Sequence, residues 1–176
     1  MNIVLGVTGG IAAYKMCEFC SLAIKSGHQV QVIQTANALR FVGSITFEGL
    51  TGRPVLQDTF ESAMDHIEWA KWADVLVIAP LSANSLAKIA HGICDDLLST
   101  TICATPQITP ILLCPAMNTQ MWLHPMTQRN IRIITESDRF KWEMPVEKRL
   151  ACGDFGVGGL AEPSLILQRC EEIDIP

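Results

Sequence analysis

The sequence has no run of basic residues, and its 18 aspartates and glutamates outnumber its 13 lysines and arginines. Proteins that bind nucleic acids carry clustered positive charge, so we expect no nucleic-acid partner. No apolar stretch is long enough to cross a membrane. The chain begins with a strand pattern, without the features of a secretory signal peptide. We therefore expect no membrane partner either.

The cysteines do not form the pattern of a disulfide framework. There are seven, an odd number, and most lie inside apolar segments. This distribution indicates reduced, buried thiols in a cytoplasmic protein. Cys17 and Cys20 form a C-x-x-C, but they fall within a predicted helix and are interpreted as packing residues. No two of the four histidines have the spacing of metal ligands, so no metal site is predicted.

A dinucleotide fingerprint is also missing from the first glycine-containing turn. Gly6, Gly9 and Gly10 do not give G-x-G-x-x-G, and the second predicted strand ends in Thr35 instead of an acid that would hold a ribose. Backbone N–H groups at such a turn favour an anion, and the Thr35 hydroxyl suits a phosphate monoester. The pattern favours a mononucleotide such as FMN; a tight turn without a ligand stays open as the alternative.

Apolar runs typical of buried strands alternate along the chain with segments of helical periodicity. This alternation predicts a single-domain α/β fold over residues 1–176, a doubly wound, Rossmann-like and flavodoxin-like parallel sheet with helices on both faces. The predicted strands are 2–7, 30–33, 55–56, 75–79, 111–114 and 131–134, and the predicted helices are 11–26, 36–50 in one or two pieces with Ser44 as a cap, 86–90, 95–104, 124–129 and 163–170. The segment 140–148 is predicted to be a loop.

Three loops follow the carboxyl ends of predicted strands, at residues 8–11, 80–85 and 115–122. Ligands of open α/β sheets bind at that edge. In the third loop, the Asn118 amide can both donate and accept hydrogen bonds, while Met121 and its neighbours offer apolar walls. A helix-capping Asn118 beside core residues is the alternative. Together the three loops predict a site for a planar ligand.

Two further side chains are candidates for proton transfer. His66 precedes a short helix, and a neutral imidazole can exchange a proton near pH 7. Cys152 lies in a glycine-rich loop, where a thiol can be a proton donor or a nucleophile. A capping or surface histidine and a packed cysteine are the respective alternatives.

Four segments of the chain match short patterns of one known family. Residues 6–15 resemble its first turn, 80–85 resemble its P-A-S-A-N-T motif, and 115–122 match P-x-M-N-x-x-M-W in full. Residues 150–162 resemble its substrate-recognition clamp, A-C-G-D-x-G-x-G-R, within a lid of about 140–162. The chain thus resembles, over nearly its full length, the homo-oligomeric flavin-containing Cys decarboxylases, and most closely those of coenzyme A biosynthesis.

The resemblance implies FMN-dependent decarboxylation of 4'-phosphopantothenoylcysteine to 4'-phosphopantetheine, a carboxy-lyase activity. A cysteine carboxylate has no electron sink, so flavin oxidation to a thioaldehyde would precede the loss of CO2, and the resulting enethiol would be re-reduced. The resemblance also implies a homo-oligomer, either a trimer or a dodecamer built from trimers, with flavin at a subunit interface. No ligase domain is expected within residues 1–176.

The resemblance also assigns roles to individual residues. His66 would be the active-site base, Asn118 would bind the substrate carboxylate, and Cys152 would be the proton donor. The remaining implied contacts are to FMN, from Gly9, Gly10, Ile11, Thr35, Ser82, Ala83, Asn84, Ser85 and Ala116, and to the substrate, from Met121, Ala151 and Gly153 beside Asn118.

The sequence departs from the family patterns at a few positions. Leu81 and Ser85 replace Ala and Thr of the second motif, and Ser85 keeps a hydroxyl. Gly159 stands where the clamp has an arginine that would suit a substrate phosphate. Another cation could take over that role, and the candidates are Lys141, Lys148 and Arg149.

Three other functions are compatible with parts of the pattern. A peptidyl-cysteine decarboxylase would stop at the enethiol, but relatives of that kind lack the clamp cysteine that Cys152 matches. A non-catalytic regulatory flavoprotein would carry a long acidic tail or lack catalytic residues. An electron-transfer flavodoxin would not need His66, Asn118 and Cys152 together.

Overall fold

The computed structural model describes residues 1–59, 64–151 and 153–174. Its centre is a parallel sheet of five strands in the order β2-β1-β3-β4-β5, and a separate antiparallel hairpin is formed by β6 and β7. This confirms the predicted doubly wound α/β class. The strands are β1 (Asn2–Val7), β2 (Gln29–Gln34), β3 (Val75–Leu81), β4 (Ile111–Pro115), β5 (Phe140–Trp142), β6 (Val146–Arg149) and β7 (Phe155–Gly159).

Helices cover both faces of the sheet. On one face, α1, α2 and α8 bury side chains such as Phe19, Phe47 and Ile166 against β1, β2 and β4. On the other, α4, α5 and α7 bury Leu86, Leu97 and their neighbours, and the tryptophans of α3 pack there too. The helices are α1 (Lys15–Lys25), α2 (Ser44–Thr51), α3 (Asp65–Trp72), α4 (Ala83–His91), α5 (Leu97–Ala104), α6 (Thr119–Leu123), α7 (Pro125–Thr135) and α8 (Pro163–Glu171), with single 3-10 turns at Ile11–Tyr14 and Ala38–Arg40.

Every residue of β3 and β4 is buried, as expected for central strands covered on both faces. The strand order reverses beside β1, which lies between β2 and β3. In open α/β sheets, this switch point opens a crevice at the carboxyl ends of the strands. Within the described ranges, no helix is long and apolar enough to cross a membrane.

Several predicted elements were wrong. Residues 131–134, predicted as a strand, belong to α7, because Ile131 and Ile134 contact the core at helical spacing. The segment 140–148 is not a loop: it contains β5, which pairs with β4, and most of β6. Of the predicted strand at 55–56, only Leu56 forms a bridge, to Ile33. Helix α2 is preceded by Gly43 as its cap, and Ser44 is its first residue.

The cysteines in the described ranges are free thiols, as predicted, but not all of them are buried. Cys94 and Cys103 are exposed, which corrects the expectation for these two positions. Burial raises the pKa of Cys20 to about 12 and the pKa of Cys170 to about 12. These two thiols are therefore protonated packing groups at neutral pH.

Candidate active site

An open cleft of about 660 Å³ lies at the carboxyl ends of β1, β3 and β4. Its volume is within the range of roughly 300–1,000 Å³ usual for small-molecule sites. The three loops predicted to converge do meet there, and the β6–β7 hairpin forms the remaining wall. Of the residues assigned from the sequence, those that line the cleft are Gly9, Gly10, Ile11, Ser82, Ala83, Ala116, Asn118, Met121 and Ala151.

The first turn and the loop after β3 are joined by the buried side chain of Thr8. Its Oγ1 donates to the carbonyl oxygen of Pro80 at 2.6 Å and accepts from the backbone N–H of Ser82 at 2.9 Å. Ser82 in turn caps α4, because its Oγ accepts from the backbone N–H of Ser85 at 3.3 Å. The amino end of α4 is thereby held beside the first turn, an arrangement that favours an anion.

Gly9 and Gly10 differ in what surrounds them. A Cβ at Gly9 would lie 2.5 Å from Cβ of Asn37, so only glycine allows this turn to approach the loop that follows β2. At Gly10 the nearest atom to an added Cβ is Cγ of Pro80 at 3.9 Å, so this position faces open space. Thr35 begins the approaching loop and donates its backbone N–H to Val7 O at 3.1 Å. Its side chain does not line the cleft.

Asn118 lies between the end of β4 and the start of α6. It is the N-cap of that helix, and its Oδ1 accepts from the backbone N–H of Gln120 at 2.8 Å. It also lines the cleft. The loop is attached to the β3 loop through the Ala116 N–H, which donates to Leu81 O at 3.1 Å. The capping function considered from the sequence is therefore correct, and a ligand-binding function is compatible with it.

The glycines of β7 allow the hairpin to lie directly on the Asn118 loop. The Met117 N–H donates to Gly158 O at 2.9 Å. A Cβ at Gly158, whose φ is +146°, would lie 2.1 Å from Met117 O, and a Cβ at Gly156 would lie 2.6 Å from Oγ1 of Thr119. The described part of the predicted clamp thus forms a paired hairpin, in which Gly158 lies against the backbone and Gly156 against the Thr119 side chain. Its function as a lid stays a prediction.

We expect Gly158→Ala to lower the free energy of unfolding by about 1–3 kcal/mol, because the added methyl group collides with Met117 O at a φ that favours glycine. Urea denaturation followed by circular dichroism measures the change. Gly49→Ala is the matched control: Gly49 lies inside α2 with nothing within 4 Å of an added Cβ, so this variant should be as stable as the parent or more so. Equal midpoints for Gly158→Ala and the parent would contradict the close approach.

Some assigned residues do not line the cleft. His66 lies on α3, and its Nδ1 is buried without a hydrogen-bond partner among the described residues. Asn84 and Ser85 belong to the first turn of α4, of which only Ala83 and the capping residue Ser82 line the cleft. Gly153 lies at the tip of the hairpin, where it donates to Leu150 O at 2.9 Å. Cys152 lies outside the described residues.

A basic cluster at the cleft joins Lys148, which was a candidate from the sequence for binding a substrate phosphate, to Lys15, which was not. Lys15 and Lys148 both line the cleft. Nζ of Lys15 contacts both carboxylate oxygens of Glu162 at 2.9 Å, and Nζ of Lys148 lies 3.4 Å from Glu162 Oε1. Burial acts against the charge of Lys15, but its bonds to Glu162 outweigh that effect and raise its pKa. Burial and the nearby charge of Lys15 lower the pKa of Lys148.

The fold and the cleft define an open α/β protein with a small-molecule site at the switch point of its sheet. Residues 1–172 match the Flavoprotein family, and the chain belongs to that family. It is 42% identical, over 175 residues, to the coenzyme A biosynthesis bifunctional protein CoaBC of Bacillus subtilis (strain 168). The match covers 97% of this chain and 42% of that protein, so the chain spans less than half the length of this relative.

Two solved structures match the chain over nearly their whole length. One is a cysteine-to-serine mutant of PPC decarboxylase complexed with pantothenoylaminoethenethiol, with a TM-score of 0.85, 37% identity, and coverage of 97% of this chain and 96% of that one. The other is the FMN binding protein AtHal3, with a TM-score of 0.82, 38% identity, and coverage of 97% and 94%. Both similarities agree with the family assignment made from the cleft motifs.

Proposed function

We propose that this chain catalyses the FMN-dependent decarboxylation of 4'-phosphopantothenoylcysteine to 4'-phosphopantetheine in coenzyme A biosynthesis. The observation that carries the proposal is the meeting of the Asn118 loop, the first turn and the start of α4 in one cleft. Support comes from the similarity to PPC decarboxylase along almost the entire chain and to a relative named for coenzyme A biosynthesis. Residues 1–176 would form one catalytic domain.

The residues present fit a flavin mononucleotide. Gly10 faces open space, the first turn and the amino end of α4 offer backbone N–H groups suited to its phosphate, and Ile11 and Ala116 offer apolar contacts for a ring. Ser82 and Ala83 would contact it from the β3 loop, and Thr35, Asn84 and Ser85 are the remaining contacts that the family resemblance implies. When bound, FMN supplies a hydride acceptor that can later return the hydride.

The chain's own residues would position the substrate and move its protons. The Asn118 side-chain NH2 group would donate to the substrate carboxylate and orient it, while its oxygen continues to cap α6. His66 would take the thiol proton as the thiol-bearing carbon is oxidised to the thioaldehyde. After CO2 has left, Cys152 would donate the proton that accompanies return of the hydride, and the two together convert the enethiol into the saturated thiol. Met121 and Ala151, which line the cleft beside Asn118, would exclude water.

We also propose that a second copy of the chain completes the site, as part of a trimer with the flavin at the subunit interface. Ile11, Tyr14 and Met121 line the cleft and are 61%, 59% and 48% exposed, so the rim is an apolar surface that another subunit could cover. His66, assigned as the base, does not line the cleft of its own chain. Light scattering on the purified protein tests the subunit number, including assembly of trimers into dodecamers.

The presence of free thiols supports a cytoplasmic location, because reducing compartments keep cysteines from pairing. The partner expected there is a small phosphorylated cysteine conjugate. The net charge of -5 does not favour a nucleic acid.

Mass spectrometry of the product tests the activity directly. Incubation of the flavin-loaded protein with 4'-phosphopantothenoylcysteine should give a product that has lost CO2 only. Loss of CO2 together with two hydrogens would show that the reaction stops at the enethiol, which is the outcome for a peptidyl-cysteine type of decarboxylase. An unchanged substrate mass with flavin bound would overturn the proposed activity and favour a non-catalytic flavoprotein.

A further inference from the structure

The side chain of Lys148 occupies the space beside Gly159 in which another side chain would lie. A Cβ built at Gly159 would lie 2.2 Å from Cε, 2.7 Å from Cγ and 2.9 Å from Cδ of Lys148. Nζ of Lys148 then reaches past Gly159 and donates to Leu160 O at 2.7 Å. A side chain at position 159 and this conformation of Lys148 therefore exclude each other.

The ammonium group of Lys148 lies in a cluster with Lys15 and Glu162, and the net charge of this cluster is positive. Lys15 and Lys148 share one carboxylate, that of Glu162. The side chain of Glu162 is 56% exposed, whereas those of Lys15 and Lys148 are 18% and 32% exposed. Two partly buried cations are thus balanced by a single, more exposed anion, and both cations line the cleft. A second anion arriving from the cleft would find uncompensated positive charge there.

We propose that Lys148 and Lys15 form a phosphate-monoester subsite that binds the terminal phosphate of the substrate, with Lys148 as the residue that distinguishes phosphorylated from unphosphorylated substrate. The ammonium group of Lys148 carries three N–H donors. One donates to Leu160 O at 2.7 Å, and the contact with Glu162 Oε1 is longer, at 3.4 Å. Phosphate oxygens accept such charge-assisted bonds well. Gly159 belongs to the subsite because its missing side chain makes room for Lys148.

A phosphate monoester could come from the substrate or from FMN. The flavin phosphate already has donors suited to it at the first turn and the start of α4, which Thr8 holds together. Lys148 lies on the hairpin, on the same wall as Ala151. We therefore assign the subsite to the substrate. This assignment rests on the proposed function, and the two can fail separately.

The test compares Lys148→Met with the parent on 4'-phosphopantothenoylcysteine and on pantothenoylcysteine. Methionine keeps an unbranched side chain but removes the charge. KM for the phosphorylated substrate should rise about 10- to 100-fold, with little change in kcat, while KM for the unphosphorylated substrate stays unchanged. Lys141→Met is the matched control, since Lys141 lies on β5 outside the cleft lining, and both KM values should stay as in the parent.

The reciprocal exchange gives a gain-of-function test. Gly159→Arg alone should disturb Lys148, because the two side chains compete for the same space. In a double variant with Lys148→Gly and Gly159→Arg, the guanidinium replaces the ammonium group, and the preference for phosphorylated substrate should return. A double variant that discriminates no better than Lys148→Met would count against a phosphate subsite at this position.

Two results for Lys148→Met overturn the assignment. Equal rises in both KM values for Lys148→Met would show a merely structural role. Weaker FMN binding by this variant, measured by flavin fluorescence, with unchanged substrate KM would place the flavin phosphate at the cluster. If the parent turns over neither compound, the proposed function is overturned, and the subsite is then tested by measuring the binding of both compounds with calorimetry. Tighter binding of the phosphorylated compound by the parent, lost in Lys148→Met, would support the subsite. Equal binding of both compounds by the parent would overturn the subsite.

Discussion

His66→Asn is expected to lower kcat/KM for 4'-phosphopantothenoylcysteine by about 10²- to 10⁴-fold, the usual contribution of a positioned general base. Asparagine keeps a polar side chain but cannot take up the thiol proton near neutral pH. The flavin should remain bound, because His66 is not among the residues proposed to contact FMN. Steady-state rates and the absorbance spectrum of the purified variant measure the two properties separately.

The matched control for this experiment is His91→Asn. His91 is the exposed last residue of α4, where its Nε2 contacts Asn130 Oδ1 at 3.2 Å, and it lies outside the cleft. This variant should retain the parental rate. A His66→Asn protein that keeps full activity, or one that is purified without flavin, would contradict the role of His66 as a base.

Asn118→Asp should also block decarboxylation, with a loss of at least about 10²-fold, because a carboxylate placed against the substrate carboxylate repels it and the donated hydrogen bond is gone. The fold should be preserved. Aspartate can accept from the Gln120 N–H as asparagine does, so the N-cap of α6 is retained. Steady-state rates and urea denaturation of the variant measure these two effects, and its flavin content should equal that of the parent.

Asn118→Ala separates the capping role from the binding role. It removes both, so it should lose activity and in addition lower the free energy of unfolding by about 1 kcal/mol, the typical value of an N-cap side chain. If Asn118→Asp were as unstable as Asn118→Ala, the activity loss of the former could be structural. An active Asn118→Asp protein would remove Asn118 from the proposed mechanism.

The two inactive variants together test the shared site. If His66 of one subunit serves the cleft of another, mixed oligomers of His66→Asn and Asn118→Asp contain some interfaces in which both residues are intact. Co-expression of the two variants should therefore restore part of the activity. Each variant expressed alone should stay inactive. Mixed oligomers without activity would mean that both residues act within one chain.

Much of the sheet could be predicted from the sequence alone. The continuous apolar runs at 75–79 and 111–114 correspond to the fully buried β3 and β4, because central parallel strands are apolar on both faces. The loops after them were placed correctly at one edge of the sheet, since parallel strands end on the same side. Asn118 was found through its motif and its position after β4.

Edge elements were predicted less well. Residues 131–134 form a short, mostly apolar segment, a pattern that fits a strand and a helix equally. Their packing on the core as part of α7 decides between the two. The strands β5 to β7 are short, half-exposed or rich in glycine, so their sequences carry little periodicity. Their structure depends on partners elsewhere in the chain.

The sequence by itself determined the α/β class, the central strands and the three loops of the cleft, because these depend on local hydrophobicity and on motifs within single segments. Only the tertiary structure decided that Lys148 and Lys15 come together at the cleft. Lys148 and Gly159 lie on paired strands and Lys15 on a helix far away in sequence, and their proximity follows from the folding of the hairpin against the Asn118 loop. Contacts of that kind involve backbone pairing and shared space, which no single segment encodes.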